Sequence, residues 1–249
     1  MGHVFDFHDT QRYAHALLQE KQRNAADLES RLMLDMLNPQ RGDAILDIGC
    51  GTGASIAPLL QSGLDITGID PSPYMLDIAA ETFGEQVELY RGFAEDLPFD
   101  DNAFNHACIF TTLEYVDAPA KAIEEACRVA KDKVFIGVLN RYALKSVQRR
   151  LQGIFTSTIY NRARFFSVWE LKSMVRDMAG PVPVAWRTVQ QFTRGSGKLT
   201  RAFERSHLVQ RCPFGAFAGM VVTLVPRFRT RPLAMRYRPK NTRTALGGT

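Results

Sequence analysis

Cysteine is scarce in this 249-residue chain, and its four cysteines stand far apart. They form no C-x-x-C pair, and no histidine lies near them at the spacing of a metal-binding motif. The sequence therefore argues against a disulfide framework and against a cysteine-ligated zinc site. We expect reduced, buried thiols at all four positions, which are Cys50, Cys108, Cys127 and Cys212.

Long apolar runs are also missing. The longest apolar stretch, residues 215–225, is well short of the roughly 18 residues that suggest a membrane span. The N-terminus carries His3, Asp6, His8 and Asp9 where a secretory signal would have basic and then apolar residues. Position 6 also lacks the Ser or Thr of a myristoylation motif. The sequence therefore predicts a cytoplasmic protein with no membrane span.

Acidic residues are nearly absent from the second part of the chain. Residues 141–249 contain 21 Lys/Arg and 3 Asp/Glu, whereas residues 1–140 contain 10 Lys/Arg and 23 Asp/Glu. A positive field attracts anions. The compatible partners are anionic lipid at the inner membrane face, nucleic acid, an anionic substrate and an acidic protein. A solvated surface without a partner fits as well. We expect residues 226–249 to form an extended basic tail.

Strand and helix patterns alternate along the chain. Strands with β-branched, apolar character are predicted at 44–49, 64–69, 87–90, 104–111 and 134–139. Helices are predicted between them at 54–61, 73–83 and 119–130. Two helices are expected within 5–38, one at 168–178, and a closing hairpin from strands at 182–192 and 218–225. The repeated β-α-β order predicts a parallel sheet with right-handed crossovers.

A glycine-rich turn follows the first predicted strand. Glycines allow a ligand to approach the backbone, and the helix after the turn offers unpaired N–H groups to an anion. The spacing Gly49-x-Gly51-x-x-Ala54 fits the dinucleotide fingerprint, and Asp70 lies where that fingerprint has its ribose-binding acid. The glycines thus predict a nucleotide-like ligand without deciding which one.

Three ordered motifs between residues 40 and 140 favour one family. The first is Asp47-x-Gly49-x-Gly51-x-Gly53, and the second is the strand end 68–72 with Asp70. The third is the segment 92–99, Gly-Phe-Ala-Glu-Asp-Leu-Pro-Phe, followed by a further strand. Together they resemble motif I, the ribose-binding position and the adenine-pocket segment of class I S-adenosylmethionine-dependent methyltransferases, in the ubiquinone/menaquinone-type branch.

The resemblance implies S-adenosylmethionine as cofactor and S-adenosylhomocysteine as product. Asp70 is expected to accept hydrogen bonds from both ribose hydroxyls. The amides of the glycine turn are expected to face the methionine portion, with Asp47 either near its ammonium group or bonded within the turn. Phe93 stands where family members often have an aspartate. The expected cofactor-binding residues are Asp47, Gly49, Cys50, Gly51, Gly53, Asp70, Pro71, Met75, Ala94, Glu95, Asp96 and Thr111.

Methyl transfer is an in-line displacement at an activated carbon, so positioning can supply most of the acceleration and a dedicated base is optional. Ligands of parallel α/β sheets bind beyond the carboxyl ends of the strands. The candidate acid or base groups there are Glu114, Tyr115 and Tyr142, while His106 lies within a strand and is expected in the core. No metal is expected.

The expected fold class is α/β: a Rossmann-like, seven-stranded, mostly parallel sheet with one antiparallel edge strand and helices on both faces. One methyltransferase domain is expected over residues 1–225. It divides into an N-terminal helical lid (1–40), a cofactor-binding core (41–140) and a substrate-side segment with the closing hairpin (141–225). The basic tail (226–249) follows.

Several kinds of methyl acceptor are compatible with the sequence. The branch resemblance implies a small or lipid-like acceptor and favours the oxygen or carbon of a quinone-like or hydroxylated aromatic compound. An RNA-modifying methyltransferase is the alternative within the family, and the basic residues Arg141, Lys145, Arg149, Arg150 and Arg162 suit it too. A non-catalytic protein that docks on anionic surfaces and a nicotinamide-dependent oxidoreductase are the alternatives outside the family. Oligomeric state is not predicted.

Overall fold

The computed structural model describes residues 4–17, 20–143, 163–189 and 207–224. The predicted basic tail, and the basic residues Lys145, Arg149, Arg150 and Arg162, lie outside these ranges. The helices are α1 (Phe7–Leu17), α2 (Glu20–Leu37), α3 (Ile56–Gln61), α4 (Pro73–Phe83), α5 (Pro119–Val129), α6 (Val168–Ala179) and α7 (His207–Gln210). The strands are β1 (Ala44–Ile48), β2 (Asp65–Asp70), β3 (Glu88–Arg91), β4 (Phe104–Phe110), β5 (Ala130–Leu139), β6 (Val184–Val189) and β7 (Phe217–Thr223).

All seven strands form one sheet, in the order β3-β2-β1-β4-β5-β7-β6. The first five strands pair in parallel, and β7 pairs antiparallel with both β5 and β6. The predicted α/β class and the closing hairpin are confirmed. The single antiparallel strand is β7, which lies one place in from the edge because β6 pairs with its outer side.

Side chains from the two faces of the sheet form two apolar clusters. On one face, Leu46 and Ile48 of β1 pack with residues of α5 and α6. On the other, Ile45 packs with residues of α2, α3 and α4. Successive residues of β1 therefore enter opposite clusters, as the period of a strand requires, and this explains why the strands are almost continuously apolar.

The four cysteines are free, and Cys50 and Cys108 are buried while the other two are half-buried. His106 is buried, with its Nε2 3.1 Å from Asp43 Oδ2 near the amino end of β4. Burial lowers the pKa of this imidazole, against the raising effect of Asp43. It thus lies away from the carboxyl ends of the strands, as a core histidine would. In the described parts of the chain, no helix is long and apolar enough to span a bilayer.

Arg128 of α5 fixes the loop that follows β3. Its guanidinium donates to the carbonyls of Leu97 (3.0 Å) and Phe99 (2.7 Å) and to the carboxylate of Glu125 (2.7 Å). Glu125 is itself buried and accepts the Leu97 N–H at 3.0 Å. The hydrogen bonds with Arg128 hold the pKa of Glu125 below its ordinary value. One helix therefore positions the loop containing residues 92–99, which the sequence analysis assigned to the adenine pocket.

Replacing Arg128 with methionine should lower the free energy of unfolding by about 2–4 kcal/mol, because a buried carboxylate and two carbonyls lose their partner. Lys121→Met is the comparison variant, since the half-exposed Lys121 pairs with Glu124 at 2.9 Å and lies only at the outer limit of an ion pair with Glu125, at 3.8 Å, so its loss costs at most about 1 kcal/mol. Urea denaturation of both variants measures the difference. Equal losses in the two variants would show that Arg128 does not hold the loop.

Candidate cofactor and acceptor site

The glycine turn is bonded to the end of β2. Both Gly49 N–H and Cys50 N–H donate to the carbonyl of Ile69, at 2.7 and 3.1 Å, and Gly53 N–H donates to Cys50 at 2.9 Å. The thiol of Cys50 lies in the apolar cluster below the turn. Cys50 therefore buries its thiol and uses both its amide and its carbonyl within the turn, which leaves only the second lone pair of the carbonyl for the predicted cofactor role.

Two glycines of the turn are required for different reasons. A Cβ on Gly49 would lie 2.2 Å from Cγ2 of Thr112, so this position has no room for a side chain. A Cβ on Gly51 would have only the sulfur of Met75 within 4 Å, at 3.9 Å. Both residues have positive φ. The space above Gly51 is open to a ligand, which is the arrangement expected of a cofactor cradle.

Asp70 lies at the carboxyl end of β2, beside this open space. Its Oδ2 accepts the Gly51 N–H at 3.0 Å and its Oδ1 accepts the Ser72 N–H at 2.8 Å. Burial raises the pKa of Asp70 above its ordinary value, and the two N–H bonds oppose that rise. Each oxygen retains a lone pair, so the carboxylate is held in place and can still accept from hydroxyl groups.

Pro71 and Met75 lie just after Asp70 in the chain. Ser72, between them, caps α4 because its hydroxyl accepts the Met75 N–H at 3.4 Å. The Met75 side chain is buried and borders the space above Gly51.

Asp47 is fully buried beneath the turn. Its Oδ2 accepts a 2.5 Å hydrogen bond from the Ser55 hydroxyl, while Oδ1 has no hydrogen-bond partner. Burial raises the pKa of Asp47 to about 7, against the lowering effect of Ser55. The predicted bond within the turn is present, and one acceptor atom remains unsatisfied near the cradle. An unsatisfied carboxylate oxygen at this place fits a cationic group nearby.

The predicted adenine segment contributes fewer side chains than expected. Ala94 is buried, and Glu95 accepts the backbone N–H groups of Asp117 and Ala118, at 3.1 and 3.4 Å. The Glu95 carboxylate thus anchors the start of α5. Asp96 is exposed, and its N–H donates to Phe93 at 3.3 Å. Asp96 and the backbone of residues 94–96 are therefore the polar groups of this segment that best match the prediction.

Two threonines after β4 complete the wall of the cradle. Thr111 has a φ of 51°, which is rare for a β-branched residue, and its N–H donates to Gly137 at 2.8 Å. The hydroxyl of Thr112 lies 3.0 Å from the carbonyl of Ile48 and 3.3 Å from that of Gly49. Thr112 ties β4 to the glycine turn. Its role could not be predicted from the sequence, because no motif marks a side chain that bonds to distant carbonyls.

The N-terminal segment crosses from the end of β2 to the end of β4. Its Phe5 carbonyl accepts a 2.7 Å hydrogen bond from the Ser72 hydroxyl. The Phe5 ring lies edge-to-face with Tyr115, with centroids 5.0 Å apart, and with Tyr13, at 6.2 Å. The segment therefore lies at the carboxyl ends of β2 and β4, and its action as a lid stays a prediction.

The three candidate acid or base groups are in different surroundings. Glu114 is only 2% exposed; its Oε1 accepts the Leu139 N–H at 2.6 Å and its Oε2 has no partner. Burial raises the pKa of Glu114 to about 8, against the lowering effect of the Leu139 N–H. Tyr142 is about half exposed and contacts Trp169. Tyr115 alone touches the N-terminal segment.

Glu114 should make folding stability fall with rising pH. The folded state keeps this proton to about pH 8, whereas the unfolded chain loses it near its ordinary value of 4.5, so unfolding releases a proton between the two. From about pH 5 to about pH 8, the free energy of unfolding of the native chain should fall by about 2–4 kcal/mol more than that of Glu114→Gln. Urea denaturation at both pH values measures this. Parallel pH profiles would contradict the burial of a protonated carboxyl group.

The chain is similar to known methyltransferases. Residues 46–136 match the family model described as "Methyltransferase domain". An uncharacterized methyltransferase of Mycobacterium tuberculosis is 36% identical over 106 residues, or 43% of each chain. A demethylmenaquinone methyltransferase of Renibacterium salmoninarum is 36% identical over 101 residues, which are 41% of this chain and 42% of the relative. The chain thus spans less than half the length of these curated relatives.

The likeness to solved structures extends further along the chain. A SAM-dependent methyltransferase from Thermotoga maritima is 25% identical, with a TM-score of 0.63 over 86% of this chain and 94% of that one. The matched family segment contains the glycine turn, Asp70 and the adenine segment. The resemblance inferred from the three motifs is confirmed: the chain contains a class I S-adenosylmethionine-dependent methyltransferase domain.

Proposed function

We propose that this chain transfers a methyl group from S-adenosylmethionine to a small or lipid-like acceptor with a planar, hydroxylated aromatic ring, of the quinone kind. The observation that carries the proposal is the open space above Gly51, bordered by Asp70 and Met75 at the carboxyl ends of β1 and β2. That space has a floor of backbone and a carboxylate at its side, as a nucleoside with a ribose requires.

The residues present fit the cofactor. Asp70 would accept from the ribose hydroxyls, since its backbone bonds orient both oxygens and leave lone pairs free. Met75 would border the adenosine portion, and Asp96 with the backbone of 94–96 would meet the adenine. The unsatisfied oxygen of Asp47 favours a cation at the far end of the turn, where the methionine ammonium would lie. When bound, the cofactor supplies a methyl group on a positively charged sulfur.

Aromatic side chains support the acceptor class. Phe5, Tyr13 and Tyr115 bring rings from the N-terminal segment and the loop after β4 to the end of the sheet where the methyl group would be presented. Rings of this kind bind planar aromatic ligands by stacking and edge-to-face contact. The matched relatives that are demethylmenaquinone methyltransferases favour the same class, with transfer to carbon or oxygen.

Tyr115 is the candidate that we propose to contact the acceptor. The buried carboxyl of Glu114 is occupied by the Leu139 amide and instead positions the loop after β4, and Tyr142 lies on the outer surface against Trp169. Tyr115 has a hydroxyl group that can take part in proton transfer or orient an acceptor hydroxyl.

Gly51→Val should abolish the binding of S-adenosylhomocysteine, because the added side chain fills the space meant for the cofactor. Gly42→Val is the matched control: Gly42 also has positive φ and nothing within 4 Å of its Cβ, but it lies after α2, before β1 begins. Both variants should lose a similar amount of stability, and only the first should lose binding in calorimetry. Retained binding by a folded Gly51→Val variant would place the cofactor elsewhere.

Tyr115→Phe should lower kcat by about 100-fold or more if the hydroxyl takes part in proton transfer, while KM for the cofactor stays unchanged. The assay follows labelled methyl transfer to a naphthoquinol, with a catechol and an amine in parallel. Tyr90→Phe on the edge strand β3 is the control and should retain full activity. An unchanged kcat in Tyr115→Phe would reduce Tyr115 to a ring that lines the pocket.

A further inference from the structure

Three large aromatic side chains are exposed at the end of β5. In the described chain segments, the large apolar residues with the highest exposure are Tyr142 (51%), Trp169 (56%) and Phe214 (58%). Tyr142 and Trp169 contact each other edge-to-face, with ring centroids 5.8 Å apart. Exposed aromatic residues that cluster in this way mark an interaction site more often than single exposed residues do.

Hydrogen bonds hold these three residues on one local scaffold. The side chain of Asn140, the first residue after β5, donates to the carbonyls of Pro213 (2.6 Å) and Gly215 (2.8 Å), on either side of Phe214. The N–H of Arg141 donates to the carbonyl of Phe166 at 2.7 Å, and the Ser167 hydroxyl caps α6 by accepting the Glu170 N–H. Three separate chain segments are thus fixed around the end of β5. We call Tyr142, Trp169 and Phe214 the aromatic patch.

The charges beside the aromatic patch are predominantly positive. Glu170 pairs with Arg141 at 3.0 Å and with Arg164 at 2.7 Å, so one carboxylate serves two guanidinium groups. Lys172, one turn of α6 beyond Trp169, and Arg211, three residues before Phe214, form no ion pair with any residue that the structure describes.

From these observations we infer that the aromatic patch and its basic surroundings form a docking surface for an anionic lipid bilayer. Tyrosine and tryptophan favour the interface between lipid headgroups and acyl chains, and phenylalanine adds apolar area without a polar group to satisfy. Lys172 and Arg211 would attract the anionic headgroups. A basic surface with exposed aromatic residues therefore complements an anionic bilayer in both charge and polarity.

A bilayer explains the aromatic patch better than a nucleic acid does. Bases stack on exposed ring faces, whereas Tyr142 and Trp169 stand at 71° to each other, so the edge of one ring covers the face of the other. The patch also lies at the carboxyl end of β5, which is the end of the sheet where Asp70 and Tyr115 follow or close their own strands. Docking there would bring the site to the surface in which a lipid-like acceptor is dissolved. The binding surface itself does not depend on the proposed reaction.

The test is the fluorescence of Trp169 in the presence of vesicles. The chain has two tryptophans, and Trp186 lies in β6, so the Trp186→Phe variant reports on Trp169 alone. Vesicles of equal parts phosphatidylglycerol and phosphatidylcholine should shift its emission to the blue, and brominated phosphatidylcholine in the mixture should quench it. Pure phosphatidylcholine vesicles should bind about tenfold or more weakly.

Two matched pairs of variants test the surface by vesicle co-sedimentation. Phe214→Ser and Lys172→Glu should each weaken binding by about tenfold or more, whereas Tyr90→Ser at the opposite edge of the sheet and Lys131→Glu at the amino end of β5 should not. Equal binding by all four variants would assign any lipid affinity to another part of the chain. Binding of single-stranded RNA that depends on Trp169 and Lys172, with no response to vesicles, would overturn the lipid assignment in favour of nucleic acid. Because binding is measured without turnover, either result leaves the proposed methyl transfer untouched.

Discussion

The site depends on the way the carboxyl ends of β1, β2 and β4 are bonded to one another around the glycine turn. The carbonyl of Ile69 accepts hydrogen bonds from two amides of the turn, and the carboxylate of Asp70 accepts one from a third. From the β4 side, the Thr112 hydroxyl donates to the carbonyl of Ile48 at the end of β1. These bonds consume the polar groups that point inward and leave the face above Gly51 open. The shape of the cradle is thus set by hydrogen bonds to the backbone of the turn, so a ligand would find the space already formed.

Buried acids give the same region its electrostatic character. Asp47 and Asp70 lie beneath and beside the cradle, and burial raises the pKa of both. A positively charged sulfonium or ammonium group placed nearby would stabilise the ionised carboxylates that the protein interior disfavours. Binding of a cationic cofactor and ionisation of these acids should therefore favour one another. The product, S-adenosylhomocysteine, has no sulfonium charge, so these carboxylates would stabilise its binding less.

Much of the fold follows from sequence pattern alone. The prediction for α4 matches its observed bounds, since Ser72 and Pro73 mark its start and Gly84 its end. Strand β5 was predicted to begin at residue 134, but it begins at Ala130. The first four residues were missed because 131–133 are charged, and their pairing with β4 includes a register shift. The position of β7 between β5 and β6 could not be predicted either. The alternation of apolar and polar residues shows which face of a strand is buried but does not show which strands pair with it.

For the site, local motifs were informative and long-range contacts were not. Asp70 and the glycines could be assigned because their spacing is itself the signal. Thr112 and Arg128 could not, because each bonds to backbone carbonyls that any sequence would offer. Oε1 of Glu95 also accepts two N–H groups at the start of α5, a contact that depends on how two loops meet and that no motif predicts. Glu114 is buried and Tyr115 is half-buried, a difference that could not be predicted because the two residues are adjacent in sequence.

Calorimetric titration of the folded chain with S-adenosylhomocysteine, with NADH titrated in parallel, tests the central claim most directly. The account predicts one equivalent of S-adenosylhomocysteine bound with a micromolar Kd and no heat from NADH. Binding of NADH alone would assign the same glycine turn to a dinucleotide, and no binding of either ligand to a chain free of co-purified cofactor would contradict the cradle above Gly51.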